Sequence, residues 1–578
     1  MPKQSHVVRI RIIGTLIILF TILLGTRLFF LQVVHGQNYA ERADRQYLKS
    51  ARTFFDRGSI YFTDKKDQRV PAATLKQEFL ITMNPQLVNN PSQTFNLLKA
   101  HLPDLVETKF TDSADSKDKM YAEVAMGVGK TAADNITALD LKGIYIHKEK
   151  KRFYPTGKTA SHVLGFMAYR GEDYTGIYGL EKGYDKVLSH REQGSFASFF
   201  AEVFLGLGSG LVGGVVGEGD IILSIEPVVQ HTIEGTLKTA VEKWGAESGG
   251  IVVMDPHTGR IISMAAWPDF HPGEKIGNIQ VLPNPLVERV FEVGSVVKPL
   301  TLAAGIDAGV VNSNTTYYDQ GFVELSGKTI RNHDKVGHGV VSMQEVINKS
   351  LNTGAVFVMQ KLGQKRFRDY FLEGYGFGDK TNIDLPGEVS SLVGNLKGNV
   401  EVEFATASFG QGLALSPIAI TRAFGVLASG GNLMQPQVVT SIKYNVGVEK
   451  DIMPVVQQEN VLSKKAIEET TAVMVEAVDT ALMGGTLSLP YYSVAAKTGT
   501  AQISDGRGGY FTNKFLHSFA GFYPAYKPRF VTFMYLIDPK GVQYSSDTLA
   551  RPFMDTAEFL LNYYEVSPDR TPTTQTLN

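Results

Sequence analysis

The chain has 578 residues, of which 43% are hydrophobic and 20% charged, and its formal net charge is −1. The composition is that of an ordinary globular protein, and the length predicts roughly three to four domains. The near-neutral charge gives no support to nucleic-acid binding. There is no cysteine, which excludes disulfides and thiolate catalysis, and the 12 histidines follow no metal-binding spacing. We therefore expect no metal site and no other cofactor.

The first distinct pattern is an apolar stretch at residues 12–34, interrupted only by Arg27. It is long enough to cross roughly 30 Å of hydrocarbon as a helix. Lys3, Arg9 and Arg11 precede it, so residues 1–11 are predicted to be cytoplasmic and the rest of the chain to lie outside. A cleavable signal peptide is the alternative, but no small-x-small cleavage site closely follows the apolar core. We expect a single-pass protein of the cytoplasmic membrane.

Residues 35–219 form a mixed region without one clear hydrophobic period, which we interpret as a separate N-terminal domain. Its last part, residues 196–216, is largely apolar, has Glu202 as its only charged residue and contains five glycines. Because glycine lowers helix propensity, we predict a buried hairpin or a loop that touches the membrane. A second membrane crossing is the alternative.

From about residue 220 the pattern changes. Residues 249–255 and 260–266 are strand-like runs joined by turn residues, which predicts a β-hairpin. Three more strands are predicted at 493–500, 518–523 and 530–537, with long helical patterns such as 343–362 between the two groups. Strands from both ends could therefore form one antiparallel sheet flanked by helices, in an α+β domain at 220–567. The tail at 568–578 is polar and predicted to be disordered.

Three short motifs carry the chemistry. They are Ser295-x-x-Lys298, Ser350-x-Asn352 and Lys497-Thr-Gly-Thr, in that order. On a helix, positions three apart share one face, which brings the Lys298 amine to the Ser295 hydroxyl. Serine needs a base to become a nucleophile, and lysine can serve if burial and a nearby cation such as Lys497 lower its pKa. A helix beginning at Ser295 would also offer free N–H groups to an oxyanion.

Each motif alone is weak. The same S-x-x-K spacing recurs at Ser116 and Lys119 in a polar segment, and Ser350-x-Asn352 alone could be a helix cap. The three in order, in strand and helix context, are typical of β-lactamases and penicillin-binding proteins. Gly-Lys-Thr sequences at 129–131, 157–159 and 327–329 lack the earlier glycine of a phosphate-binding loop, and surface turns are the favoured interpretation.

Beyond these motifs the sequence resembles class B penicillin-binding proteins of the cell-division type. Residues 291–295, FEVGS, are similar to the family's FEPGS, with Val293 where proline is usual. Residues 409–412, FGQG, are followed by Ser416 and a proline, as in the family. Residues 56–60, 179–181 and 184–185 resemble signatures of the family's pedestal. The apolar stretch at 196–216 departs from the family.

The resemblance implies an α+β fold with a penicillin-binding/β-lactamase-like transpeptidase domain at 220–567 on an elongated pedestal domain at 35–219. It implies that Ser295 is acylated, that Lys298 is the base, that Ser350 relays protons and that Asn352 orients the substrate amide. The implied carboxylate-binding strand consists of Lys497, Thr498, Gly499 and Thr500, and the implied oxyanion hole of the backbone N–H groups of Ser295 and Thr500.

The function implied is that of a peptidoglycan D,D-transpeptidase, which cross-links stem peptides of lipid II-derived glycan strands and binds β-lactams covalently. Implied partners are a membrane-embedded, SEDS-type glycan polymerase and other division proteins. The alternatives are a D,D-carboxypeptidase or β-lactamase, a transpeptidase of the elongation type, and a non-catalytic scaffold or β-lactam sensor.

Overall fold

The computed structural model describes residues 19–21, 23, 24, 27, 56–170, 173–189, 217–445 and 447–571. The six residues described between 19 and 27 are helical, and the rest of the predicted anchor lies outside the described residues, as does the apolar stretch 196–216. In the described part of the chain, no helix combines the length and apolarity needed to cross a membrane. The anchor therefore stays a prediction.

The described chain before residue 190 mixes strands with short helices. Its elements are β1 (Ile60–Thr63), β2 (Arg69–Met83), α1 (Pro91–Lys99), α2 (Glu107–Asp115), β3 (Ala122–Val128), α3 (Lys130–Ala138), β4 (Ile144–Phe153), α4 (Ser161–Leu164), β5 (Met167–Arg170), β6 (Asp173–Gly176), α5 (Gly179–Gly183) and α6 (Asp185–Leu188).

The remaining elements begin after residue 217. They are β7 (Gly219–Leu223), α7 (Pro227–Trp244), β8 (Ser248–Met254), β9 (Ile261–Trp267), α8 (Pro285–Glu288), α9 (Lys298–Asp307), β10 (Thr316–Asp319), β11 (Phe322–Leu325), β12 (Lys328–Arg331), β13 (Gly339–Ser342), α10 (Met343–Asn348), α11 (Asn352–Leu362), α12 (Gln364–Asp369), α13 (Glu401–Ala407), α14 (Pro417–Ala428), β14 (Leu433–Met434), β15 (Val439–Tyr444), β16 (Glu449–Asp451), β17 (Val456–Gln458), α15 (Lys464–Glu476), β18 (Ala495–Ser504), β19 (Tyr510–Tyr523), β20 (Phe530–Ile537) and α16 (Ser545–Tyr563).

The chain folds into two compact units. Of the residues that the structure describes, the small unit comprises 75–151 with the few described up to 56, and the large unit comprises 57–74 and those from 152 onwards. The domain boundary predicted at residues 219 and 220 stays a prediction. Residues 57–74 belong to the large unit because β1 lies parallel to β7, with Ile60 opposite Ile221. Sequence position alone could not reveal a pairing between strands so far apart along the chain.

The small unit is a sheet covered by helices. The second half of β2 pairs with β3 and β4. Phe79 and Ile81 of β2 share a buried apolar cluster with Phe95 of α1 and Phe110 of α2, whose ring centroids lie 5.8 Å apart. Phe79 and Ile81 are two residues apart, so their side chains lie on the same face of β2 and pack against the two helices.

The large unit contains the predicted antiparallel sheet, in the order β18–β19–β20–β8–β9. Both groups of predicted strands are confirmed, including the β8–β9 hairpin. Side chains of β20 alternate between two apolar cores: Phe533 and Tyr535 belong to the core with α9 and α14, while Met534 and Leu536 belong to the core with α7 and α16. A sheet buried on both faces holds its strands rigidly, which matters because β18 carries the Lys497 motif.

A buried ion cluster gives a structural reason for the segments at 56–60, 179–181 and 184–185, which resemble signatures of the family's pedestal. Arg57 donates from Nε to Glu181 at 2.6 Å, and Arg152 donates to the other Glu181 oxygen at 2.6 Å. Arg57 also donates to Asp185 at 2.8 Å. Burial opposes the charged form of Glu181, but the two guanidinium groups hold its pKa below the usual range. These residues are therefore structural, since removing one partner would leave a buried charge unpaired.

Two predictions are corrected by the structure. The helix predicted at 343–362 is broken into α10 and α11, because Ser350 has a φ of 54°, which a helix cannot accommodate. The tail predicted to be disordered is ordered as far as residue 571, because Asp569 accepts from the Ser493 N–H at 2.8 Å and Arg570 forms an ion pair with Asp479 at 2.5 Å. Residues 572–578 lie outside the described part.

Candidate active site

Ser295 lies on a short 3-10 turn, Gly294–Val297, that leads directly into α9. This confirms the predicted position at a helix start. The turn is fixed from two sides, because the Gly294 N–H donates to the Gly410 carbonyl at 3.1 Å and the Ser518 hydroxyl donates to the Val293 carbonyl at 2.7 Å. These two hydrogen bonds hold the backbone around Ser295 in place, as a predicted nucleophile requires.

Three glycines allow the backbone to approach this turn. A Cβ on Gly294, whose φ is 65°, would lie 2.9 Å from the Thr500 carbonyl oxygen. A Cβ on Gly410 would overlap the Gly294 carbonyl, and one on Gly499 would lie 2.5 Å from the Val293 carbonyl oxygen. Close backbone packing around Ser295 therefore explains why glycine occupies these positions in the FEVGS, FGQG and Lys-Thr-Gly segments.

The Lys298 amine joins the first motif to the second. Its side chain is buried, with 1% exposure, and Nζ donates to the Ser350 carbonyl at 2.5 Å and to the Ser350 hydroxyl at 3.1 Å. The positive φ of Ser350 turns both of these oxygens within reach of Lys298. Burial, with a further contribution from the positive charge of Lys497, holds the pKa of Lys298 well below its usual value. A lysine in this setting can be neutral and act as a base.

Lys497 is the second buried cation. Its Nζ donates to the Thr498 carbonyl at 3.1 Å and to the Thr498 hydroxyl at 3.3 Å. Burial lowers its pKa to about 8, so at neutral pH it remains mostly charged. It can therefore bind a carboxylate while disfavouring a second charge on Lys298.

One open cavity of about 870 Å³ unites the motifs. Lys298 lies behind Ser350 and does not line the cavity. Gly499 faces the Ser295 turn instead of the cavity, so the structure gives it a packing role, and a substrate contact of its backbone stays a prediction. The site residues that line the cavity are Ser295, Ser350, Asn352, Lys497, Thr498 and Thr500.

The cavity has further walls that sequence reasoning did not assign to the site. Residues 331–335 and His338 form one wall, residues 543–546 another, and Phe409 and Gln411 a third. The Ser545 N–H donates to the Thr500 hydroxyl at 3.1 Å, which links the second wall to β18. The resemblance of the FGQG segment to the family could have indicated that Phe409 and Gln411 lie at the site. No sequence pattern marks the residues of the other two walls.

Comparison with known families agrees with this geometry. Residues 249–557 match the penicillin-binding protein transpeptidase domain, and residues 55–196 match the penicillin-binding protein dimerisation domain. The expectation of a two-domain penicillin-binding protein is confirmed.

Two curated relatives match nearly the whole chain. Stage V sporulation protein D of Bacillus subtilis is 30% identical over 577 residues, covering 96% of this chain and 85% of the relative. Peptidoglycan D,D-transpeptidase FtsI of Escherichia coli is 28% identical, covering 93% of this chain and 88% of the relative.

A solved structure shares the fold. Penicillin-binding protein 3 of Mycobacterium tuberculosis, complexed with aztreonam, has a TM-score of 0.67 at 24% identity and covers 90% of this chain and 98% of that chain. Motif order, cavity geometry and family match agree, and the chain belongs to the penicillin-binding protein transpeptidases.

Proposed function

We propose that the protein is a peptidoglycan D,D-transpeptidase that works through an acyl-enzyme on Ser295. The observation that carries this proposal is the buried Lys298 amine, hydrogen-bonded to Ser350 and placed one helical turn from Ser295. A desolvated lysine beside a serine at a helix start is the arrangement that activates a serine nucleophile.

In the first half-reaction, the Ser295 hydroxyl attacks the carbonyl carbon of the penultimate D-Ala of a stem peptide. Neutral Lys298 takes the hydroxyl proton, and the Ser350 hydroxyl, 3.1 Å from Nζ, passes a proton to the leaving D-Ala nitrogen. The carbonyl oxygen gains negative charge, which the N–H groups of Ser295 and Thr500 stabilise. The products are free D-Ala and an ester on Ser295.

Substrate recognition is assigned to β18 and α11. Lys497, with Thr498 and Thr500, binds the terminal carboxylate of the donor peptide, and Asn352 orients its amide. A β-lactam carries a carboxylate and a strained amide at similar positions, so it is expected to acylate the same serine. In the second half-reaction, an amine of another stem peptide attacks the ester and forms the cross-link.

The test is covalent labelling by a fluorescent β-lactam. We expect the wild-type protein to be labelled and Ser295→Ala not to be. Ser116→Ala is a matched control, because Ser116 has the same spacing to a lysine but its hydroxyl only donates to the Asp112 carbonyl at 2.9 Å. Labelling that survives in Ser295→Ala would disprove the assignment. Rapid turnover of the β-lactam would instead favour a hydrolase.

The cellular role proposed is septal wall synthesis from a single N-terminal membrane anchor at 12–34, with the transpeptidase domain outside the membrane. The similarity to the Escherichia coli FtsI transpeptidase supports division, and the 30% identity to the sporulation protein supports a role in sporulation as a second candidate. Imaging of a tagged protein decides between them: a mid-cell ring in dividing cells supports the first, and signal confined to sporulating cells the second.

The proposed partner is a membrane-embedded, SEDS-type glycan polymerase, because this chain has no family match to a glycan-polymerising domain among those found. Gly14, Thr15, Thr21, Gly25 and Thr26 could provide the small and polar contacts through which membrane helices associate. Replacing 12–34 by an unrelated apolar helix should keep β-lactam labelling and weaken co-purification with the polymerase. Unchanged co-purification would place the partner surface elsewhere.

A further inference from the structure

One wall of the cavity carries a titratable side chain that the mechanism above does not use. His333 lies in the loop between β12 and β13, and its ring lines the cavity together with Ser295 and Lys497. The ring is exposed, so it can exchange a proton with solvent as well as with a bound molecule.

The backbone of His333 is tied to the helix that bears the second motif. The Asn352 side chain donates to the Arg331 carbonyl at 2.9 Å, and the Thr353 N–H donates to the Asn332 side chain at 3.2 Å. Both residues before His333 are thus anchored to the first two residues of α11. Buried Asp319 strengthens this link, because it accepts from Asn332 at 2.9 Å and from the Thr353 hydroxyl at 2.8 Å.

The other side of the ring contacts the opposite wall. His333 packs edge-to-face against Tyr544, with ring centroids 5.8 Å apart and an interplanar angle of 83°. The next residue, Ser545, donates its N–H to the Thr500 hydroxyl. The imidazole is therefore held between the Ser350–Asn352 segment and the Thr500 strand, which are the two sides of a bound substrate.

The charges around the ring favour its neutral form. Partial burial lowers the pKa of His333, and the positive charge of Lys497 acts in the same direction. Asp334 acts in the opposite direction, but it is itself engaged by His338 at 2.8 Å. At neutral pH an unprotonated imidazole faces the cavity and can accept a proton.

We propose that His333 is the base that removes a proton from the acceptor amine in the second half-reaction. This inference rests on the proposed function, because it assumes an acyl-enzyme on Ser295 that an amine resolves. An acceptor amine with a pKa of about 10 enters as an ammonium ion, which cannot attack a carbonyl. Charged Lys497 disfavours a second cation in the cavity and so helps the ammonium to lose its first proton. The nitrogen must lose a second proton once it bonds to the acyl carbon, and His333 is placed to take it.

Two proton losses from the nitrogen accompany formation of the amide. The ammonium loses the first proton to solvent, and the neutral amine attacks the acyl carbon, forming the C–N bond. As this bond forms, the imidazole of His333 takes the second proton from the nitrogen and becomes imidazolium. As the bond from the acyl carbon to the Ser295 oxygen breaks, Lys298 and Ser350 pass a proton to that oxygen, and the imidazolium replaces the proton through solvent in the open cavity. The products are the amide and the free serine.

The experiment measures how the acyl-enzyme partitions between amine and water. The full-length protein in detergent is given a thioester donor that ends in a D-Ala analogue, with D-alanine as the acceptor amine. For His333→Gln we expect the ratio of aminolysis to hydrolysis to fall about 10- to 100-fold, within the range of general base catalysis. The rate of acylation by a fluorescent β-lactam should stay within about twofold of wild type, because His333 does not act as a base in the acylation half-reaction.

The matched control is His231→Gln, which replaces an exposed histidine of α7 that does not line the cavity. It should keep the wild-type ratio. Raising the pH should bring aminolysis by His333→Gln closer to that of the wild type, because hydroxide can then remove the second proton in place of the imidazole. A wild-type ratio in His333→Gln overturns the inference, and so does an equal loss of acylation and aminolysis, which would make the residue structural. Wild-type protein that acylates but never transfers to an amine would instead refute the proposed function.

Discussion

Gly499 offers a direct test of the idea that close backbone packing positions the nucleophile. Its missing side chain points at the turn before Ser295, where an added Cβ would lie 2.5 Å from the Val293 carbonyl oxygen and closer still to the Ser518 hydroxyl. Ordinary contacts begin at 3.4 Å, so Gly499→Ala must push β18 and the turn apart by about 0.9 Å. The hydroxyl that would have to move also donates to Val293 and holds the turn.

A displacement of this size should affect chemistry more than folding. Misplacing a reacting group by about 1 Å can cost about 100-fold in rate, and overpacking a core typically costs about 1–3 kcal/mol of stability. We therefore expect Gly499→Ala to remain folded and to acylate about 100-fold more slowly. The assay is the second-order rate constant of labelling by a fluorescent β-lactam, together with the Tm.

Gly235→Ala provides the matched control. Gly235 lies within α7, and a Cβ there would meet nothing within 4 Å. Replacing a helical glycine by alanine should stabilise the protein by about 0.5–1 kcal/mol and leave acylation unchanged. Wild-type acylation by folded Gly499→Ala would refute the reasoning, because it would mean that the turn adapts without moving Ser295.

Two further predictions concern charge. Lys497→Met should move the acidic limb of the acylation pH profile to higher pH, because losing the neighbouring cation raises the pKa of Lys298, whose neutral form is the active one. Lys497→Arg keeps the positive charge and should keep the wild-type limb. An unmoved limb in Lys497→Met would argue against electrostatic coupling between the two lysines. A double-mutant cycle of Arg570→Ala and Asp479→Ala, measured by thermal unfolding, should give a coupling of about 1 kcal/mol in the free energy of unfolding. The reason is that the ion pair is bidentate and each side chain is only 26% exposed. A coupling near zero would mean that the ordered C-terminal residues are held by other contacts.

The chemistry of this protein could be predicted because it is concentrated in short segments. The spacing between Ser295 and Lys298 predicts a base near a hydroxyl from helix geometry alone. In the structure, the described hydrogen bonds of the Lys298 amine go to Ser350. The strands at both ends of the large unit could be predicted from apolar runs, and their assembly into one antiparallel sheet follows because each run needs partners for its backbone groups. The resemblance then supplied roles that spacing alone leaves open.

Other features depend on contacts between distant parts of the chain. A helical pattern covers residues 343–362, but only the fold places Ser350 where its carbonyl and hydroxyl both accept from Lys298, at the cost of a positive φ that breaks the helix. The ordered Asp569 and Arg570 illustrate the same limit, since their partners precede them by many residues.

The sequence by itself determined the order of the three motifs and predicted their reacting groups, because Ser295, Lys298 and the Lys497 strand are encoded within a few residues each. Only the tertiary structure decided that the Lys298 amine contacts Ser350, that Gly499 packs against the nucleophile turn, and that His333 faces the same cavity. The physical reason is that burial and electrostatic coupling arise between elements far apart along the chain, and no local pattern records which elements will meet.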